Sequence, residues 1–184
     1  MLTGMPGIGK TTVIRQVAER LKGRSLGGFY IEEIREHGVR RGFRLVGFDG
    51  IERVIAHVDF PKVHRVGKYG VDVGEIDEAA DRLTRGPADV YLIDEIGKME
   101  CLSDRFVNRM GLLLDGPRPV IATIARHGSG FIEEIKRAEG IVVWEVTPRN
   151  RDHLAVQVLQ WLKEDGCGID SQERRDWIPP RKPH

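Results

Sequence analysis

Cysteine is scarce: only Cys101 and Cys167 stand among 184 residues. They lie far apart, with no CxxC or His/Cys ligand spacing, which excludes a disulfide framework and a zinc knuckle. Two free thiols in a reducing, cytoplasmic setting is the expectation. His37, His57, His64, His127 and His153 show neither HxxH nor HExxH spacing, so no histidine metal site is expected. No window approaches the ~20 apolar residues of a membrane helix, and no apolar leader precedes the first motif. Charge of one sign is also missing. Against 29 Lys and Arg stand 28 Asp and Glu, a formal +1. That balance gives no argument for a nucleic-acid or membrane-surface partner. No internal repeat and no second domain is visible.

What is present is ordinary in bulk and specific in detail. Apolar content of 40% and charged content of 31% suit one soluble domain with a full core. That domain is expected over 1–165, followed by a polar, Pro-rich tail over 166–184. The specific part is Gly4-Met5-Pro6-Gly7-Ile8-Gly9-Lys10-Thr11, followed by Thr12. It fits Gly, four residues, Gly, Lys, then Ser or Thr, the pattern of a phosphate-binding P-loop. Glycines let the backbone curl so that successive N–H groups point at phosphate oxygens. The following helix adds the positive end of its dipole. Lys10 supplies an ammonium for β- and γ-phosphates, and Thr11 a hydroxyl for Mg²⁺. The strand that feeds the loop is expected to be very short or trimmed, because only Met1-Leu2-Thr3 precede Gly4.

Helical spacing of Val13, Ile14, Val17, Ala18 and Leu21 predicts a helix from Lys10 to about Lys22. Phe29 to Arg35 reads as a strand and Glu36-His37-Gly38 as a turn. Asp49-Gly50, between strand-like runs at 43–48 and 53–58, predicts a β-hairpin. A loop over 59–74 carries a short strand near Tyr69–Val73. Helices are predicted around Ile76–Leu83, Phe106–Leu114 (capped by Ser103 or Asp104), Phe131–Ile135 and, capped by Asn150, Leu154–Leu162. Strands are predicted at 89–93, 119–124 and 141–146. This alternation predicts an α/β fold: a mostly parallel sheet with helices on both faces and an added antiparallel hairpin.

Asp94-Glu95 closes the apolar run Val90–Ile93. Ligands of such sheets sit at the carboxyl ends of the strands. Asp94 there can hold Mg²⁺ or its waters, and Glu95 can polarise water for attack on a γ-phosphate. A water-directed Glu favours hydrolysis over phosphotransfer. It also suggests the P-loop branch in which an extra strand separates the loop strand from the Asp strand.

These pieces together resemble the P-loop nucleoside-triphosphatase family that includes the cancer-related nucleoside triphosphatase and its thermophilic bacterial and archaeal relatives. The resemblance runs to about residue 164. It rests on Thr3–Thr12; on Gly28-Phe29-Tyr30 with Glu33, Arg35, Gly38, Arg40 and Gly42-Phe43; on Val66–Tyr69 with Val71-Asp72; on Ile93–Glu100; and on Thr147 with Asn150-Arg151-Asp152. The run Asp94–Glu100 is its most distinctive part. Ile31 departs from it, standing where relatives often carry Thr. The resemblance implies a RecA-like fold and Mg²⁺-dependent hydrolysis of nucleoside triphosphates to diphosphates with broad base selectivity.

The expected nucleotide-binding residues are Gly4, Met5, Pro6, Gly7, Ile8, Gly9, Lys10, Thr11 and Thr12, with Asp94, Lys98 and Arg151. Lys10 and Glu95 are the expected catalytic residues, and Thr11 and Asp94 the metal-side residues. Lys98 is either a phosphate contact or a surface lysine. Arg151 sits where a helix dipole disfavours it, which points to a ligand role. Thr123 ends the strand after the Asp94 strand, where a polar group can sense a γ-phosphate or hold the attacking water; an ordinary β-favouring Thr is the slightly preferred reading. Glu33 and Arg35 lean toward the nucleotide, with Arg35 as an internal charge stabiliser. Arg40, Arg41 and Arg44 read as a solvated basic turn. Nucleoside triphosphates are the expected partners, without membrane or clear nucleic-acid partner. The oligomeric state stays open, with a monomer favoured. A phosphotransferase with a small acceptor, or a nucleotide-dependent switch or RNA-associated module, remain the alternatives.

Overall fold

The computed structural model describes residues 1–86 and 88–164; the expected tail over 166–184 lies outside them. In chain order the elements are β1 (Leu2–Thr3), α1 (Lys10–Arg20), β2 (Leu26–Glu36), β3 (Val39–Gly47), β4 (Glu52–His57), β5 (Arg65–Val66), β6 (Tyr69–Val71), α2 (Val73–Arg82), β7 (Val90–Ile96), a single 3₁₀ turn (Glu100–Leu102), α3 (Asp104–Leu114), β8 (Val120–Ile124), α4 (Phe131–Arg137), β9 (Trp144–Glu145) and α5 (Arg151–Glu164). The described strands form one sheet in the order β5-β6-β4-β3-β2-β7-β8-β1-β9.

Five strands, β2, β7, β8, β1 and β9, run parallel to one another. The period-2 rule sorts the side chains of β7. Val90 and Leu92 face α1 and α5, packing with Ile14, Val17, Leu154 and Val158. Tyr91 and Ile93 face α2 and α3, packing with Ile76, Ala80, Phe106 and Met110. Burial on both faces is why the run reads as continuously apolar. As expected, β8 separates the loop strand β1 from the Asp strand β7.

The Asp49-Gly50 hairpin forms between β3 and β4, with Gly50 at φ 83°. The antiparallel part is larger than that one hairpin. His37 (φ 49°) and Gly38 (φ 79°) turn β2 directly into β3, and β6 and β5 extend the sheet beyond β4. At the opposite edge β9 covers only 144–145 of the expected 141–146. Its sole neighbour, β1, offers two residues to pair with, Leu2 and Thr3. Ser103 is the cap of α3, accepting from the Phe106 N–H at 2.9 Å. Asn150 is tied backward instead of capping forward: its Oδ1 accepts from Thr147 N–H and its Nδ2 donates to Glu145 O, both at 2.8 Å. No helix among the described residues is long and apolar enough to cross a membrane.

Candidate functional site

The short β1 delivers the chain to Gly4 at the carboxyl end of the sheet. A Cβ at Gly4 would lie 2.7 Å from the Val146 carbonyl oxygen, so no other residue passes there without moving backbone. Gly9 is the residue before α1, at φ 112°, a left-handed conformation that L side chains rarely adopt. The start of α1 has no side-chain cap and no acidic residue in its first turn. Its first N–H groups and the positive dipole end are thus open to an anion. Met5, Pro6, Gly7 and Thr12 are exposed along this rim, and Ile8 is half-buried. Lys10 folds back, its Nζ donating to Gly4 O at 3.3 Å.

Asp94 is buried, with 2% of its surface exposed. Three donors converge on it. Thr11 Oγ1 donates to Oδ2 at 2.6 Å, Thr123 Oγ1 donates to Oδ1 at 2.6 Å, and the Ile31 N–H reaches Oδ2 at 3.4 Å. Those donors come from α1, β8 and β2, so the carboxylate ties the P-loop to the middle of the sheet. The β7–β8 pairing slips here: Ile93 faces Ala122 and Ile96 faces Ile124, leaving Asp94 and Glu95 in a bulge.

Glu95 follows, half-buried. Burial raises its carboxyl above the usual range, the charge of Asp94 adds to that rise, and Lys10 opposes it. Beyond it stands a buried second carboxyl, Glu100, 5% exposed. A Cβ built on Gly97 would lie 2.9 Å from Glu100 Oε2 and 3.3 Å from Glu95 Oε1, so this glycine leaves room for both acids. Burial first, then the charge of Glu95, pushes Glu100 up to about 8. A cleft of about 250 Å³ opens over Glu95 and Glu100.

The chain as a whole is similar to proteins of known class. A family model described as NTPase matches residues 1–159. The nucleoside-triphosphatase THEP1 of Thermotoga petrophila is 42% identical over 166 residues, covering 89% of this chain and 92% of that protein. The crystal structure of THEP1 from Aquifex aeolicus superposes with a TM-score of 0.79 at 35% identity, over 88% of this chain and 97% of the other. The solution structure of a human cancer-related nucleoside triphosphatase does so at 0.76 and 35%, over 89% and 96%. The chain belongs to the NTPase family. It is a nucleoside triphosphatase with the P-loop α/β fold.

The remaining expected residues of this nucleoside triphosphatase fall as follows. Arg151 lies against the loop, its Cδ 3.8 Å from where a Gly9 Cβ would be. Lys98 is exposed and lines the cleft beside Glu95. Glu33 and Arg35 pair with each other. Arg35 Nε donates to Glu33 Oε2 at 2.8 Å and its NH1 to Gly38 O at 2.8 Å, which ties both into the β2–β3 tip. The basic cluster is neutralised: Arg40 pairs with Glu33, Arg41 with Glu36 and Asp59, and Arg44 with Glu32 and Glu52. Two residues of the site go beyond their expected roles: Thr123, whose ligand role was the less favoured of two readings, and Glu100, which had none. Thr123 is a fully buried donor to Asp94, legible only from its place at the end of the strand beside the Asp strand. Glu100 betrays itself as one acid among Met99, Cys101 and Leu102.

Proposed function

We propose that this nucleoside triphosphatase hydrolyses ATP, GTP and other nucleoside triphosphates to the diphosphate and phosphate, with Mg²⁺ and little base selectivity. The observation that carries the reading is Asp94, anchored by Thr11 and Thr123 at 2.6 Å each, with Glu95 as the next residue. In this reading the N–H groups of Gly7, Gly9 and Lys10 cradle the β-phosphate. Met5, Pro6, Ile8 and Thr12 complete the wall of the loop. Lys10 swings from Gly4 O to bridge the β- and γ-phosphates, and Arg151 flanks the loop. Lys98 stands beside Glu95 as a second cation.

The residues present fit a magnesium ion. Thr11 Oγ1 and Asp94 Oδ2 are hard oxygen donors already in contact. Among the described residues no group of three or more His, Cys, Asp or Glu forms a metal cage. That suits an ion that keeps waters and takes phosphate oxygens as its other ligands. When bound, it neutralises charge on the β- and γ-phosphate oxygens. Glu95 orients a water in line with the β–γ bridge and accepts its proton. Its raised affinity for a proton suits that task, since a general base works best near the ambient pH. No arginine is free at the γ-phosphate position among those paired around β2 and β3. Arginine fingers supply about 10³–10⁵ in turnover, so hydrolysis by the protein alone is slow. We read the setting as cytoplasmic, with Cys101 a free thiol, and the protein as a monomer.

The test is phosphate release from ATP, GTP, CTP and UTP, with and without Mg²⁺. The reading expects comparable release from all four and loss without the metal. Release from one base alone, or undiminished release in chelator, contradicts it.

A further inference from the structure

The cleft beside Glu95 is far larger than its hydrolytic task requires. A water occupies roughly 30 Å³, and the cleft holds about 250 Å³. Its walls are mostly apolar, Ile31 from β2, Phe43 from β3, Val66 from β5, Met99 and Ala125, with His127 and Lys98 as the basic side chains among them. At its base stand two carboxyls, Glu95 and the buried Glu100. An apolar pocket with a few convergent polar groups is the usual form of a small-molecule site.

The surroundings select the ligand's charge. An anionic acceptor, such as a nucleoside monophosphate, calls for unpaired arginines. Arg35, Arg40, Arg41 and Arg44 on the neighbouring strands are each paired with at least one carboxylate. The lone permanent cation among the described lining residues is Lys98, which sits exposed at the rim. The edge-on Phe43–Tyr69 pair, 5.1 Å between ring centroids, gives the outer wall an aromatic surface. These features admit a neutral ring with a hydroxyl directed at Glu95.

We propose that the cleft binds a neutral, ring-sized hydroxyl compound that competes with water for the γ-phosphoryl group. This inference rests on the hydrolase reading, with Glu95 as base. In the transfer the acceptor oxygen forms a bond to the γ-phosphorus while the bond from that phosphorus to the β–γ bridging oxygen breaks. The bridging oxygen keeps the electron pair and leaves with the diphosphate. The hydroxyl proton passes to a Glu95 oxygen. The product is a phosphate monoester in place of free phosphate.

The experiment incubates the full chain with ATP and Mg²⁺ and three probe alcohols: benzyl alcohol, methanol and 4-(hydroxymethyl)benzoate. ADP, free phosphate and ester are followed by ³¹P NMR. Benzyl alcohol is expected to divert phosphoryl groups to ester about tenfold more efficiently, per mole, than methanol or the anionic benzoate. Val66→Trp, on the edge strand β5, fills the cleft from the lining strand farthest across the sheet from the loop strand β1. It is expected to lose that diversion while ADP formation stays within about twofold of the parent. Ala125→Leu serves the same purpose from the other wall. Normal ADP formation with no benzyl ester overturns the acceptor site and leaves the hydrolase reading intact. So does ester formation that both filled variants retain. Absence of ADP from the parent protein overturns the hydrolase reading itself.

Discussion

Thr123 donates a 2.6 Å hydrogen bond to Asp94 from a position with no solvent exposure. The partner of that bond is itself buried, and its other oxygen already serves Thr11. A carboxylate so fixed presents one orientation to the loop. Thr123→Val keeps the shape of the side chain and removes the donor. Outer contacts of this kind typically cost 10–100-fold in metal affinity or activity when removed. Turnover and apparent Mg²⁺ affinity are therefore expected to fall by about tenfold to a hundredfold. Thr123→Ser, which keeps the hydroxyl, is expected to recover most of the loss. Steady-state phosphate release over a Mg²⁺ titration checks this.

Lys10→Ala removes the ammonium that donates to Gly4 O. Turnover is expected to disappear. Hydrogen bonds to charged groups contribute about 1.5–3 kcal/mol, so nucleotide affinity is expected to fall by about tenfold or more. Calorimetric titration with ATP and Mg²⁺ measures the affinity arm, and phosphate release the other.

Glu100 makes the fold itself sensitive to pH. Its carboxyl is pushed up to about 8 from the ordinary 4.5 by burial and by the charge of Glu95. The folded chain therefore holds a proton that the unfolded chain has lost. The stability so contributed is fully present below about pH 4.5 and is lost as pH rises to about 8. Urea unfolding at pH 5 and pH 8 is expected to show the parent weakening by a few kcal/mol across that window. Glu100→Gln, which cannot titrate, is expected to flatten that dependence.

The loop and the Asp-Glu pair were legible because their chemistry is contiguous. Gly4–Thr11 and Asp94-Glu95 each declare themselves within a few residues, and the apolar run before Asp94 places it at a strand end. Thr123 was legible as a strand-end polar group but its bond to Asp94 was not, because that bond crosses between strands 29 residues apart. In one dimension a β-favouring Thr is the slightly better reading of it. The length of β2 was hidden for a related reason. Gly27, Gly28 and Glu36, outside the expected Phe29–Arg35, are poor strand formers alone, but pairing with β7 and β3 carries them into the sheet. The reverse holds at β9, where Ile141, Val142 and Val143 have strand character but, among the described residues, no strand to pair with. Local propensity yields to the neighbour in both cases.

The central claim is that Glu95 drives hydrolysis at a loop that binds nucleotide without it. Glu95→Gln keeps the volume and removes the base. The decisive measurement is its single-turnover rate of ATP cleavage under saturating Mg²⁺, taken with its ATP affinity. General-base catalysis supplies about 10²–10⁴ in rate, so cleavage is expected to slow by about that factor with affinity nearly unchanged. Cleavage at the parent rate in Glu95→Gln would contradict the account.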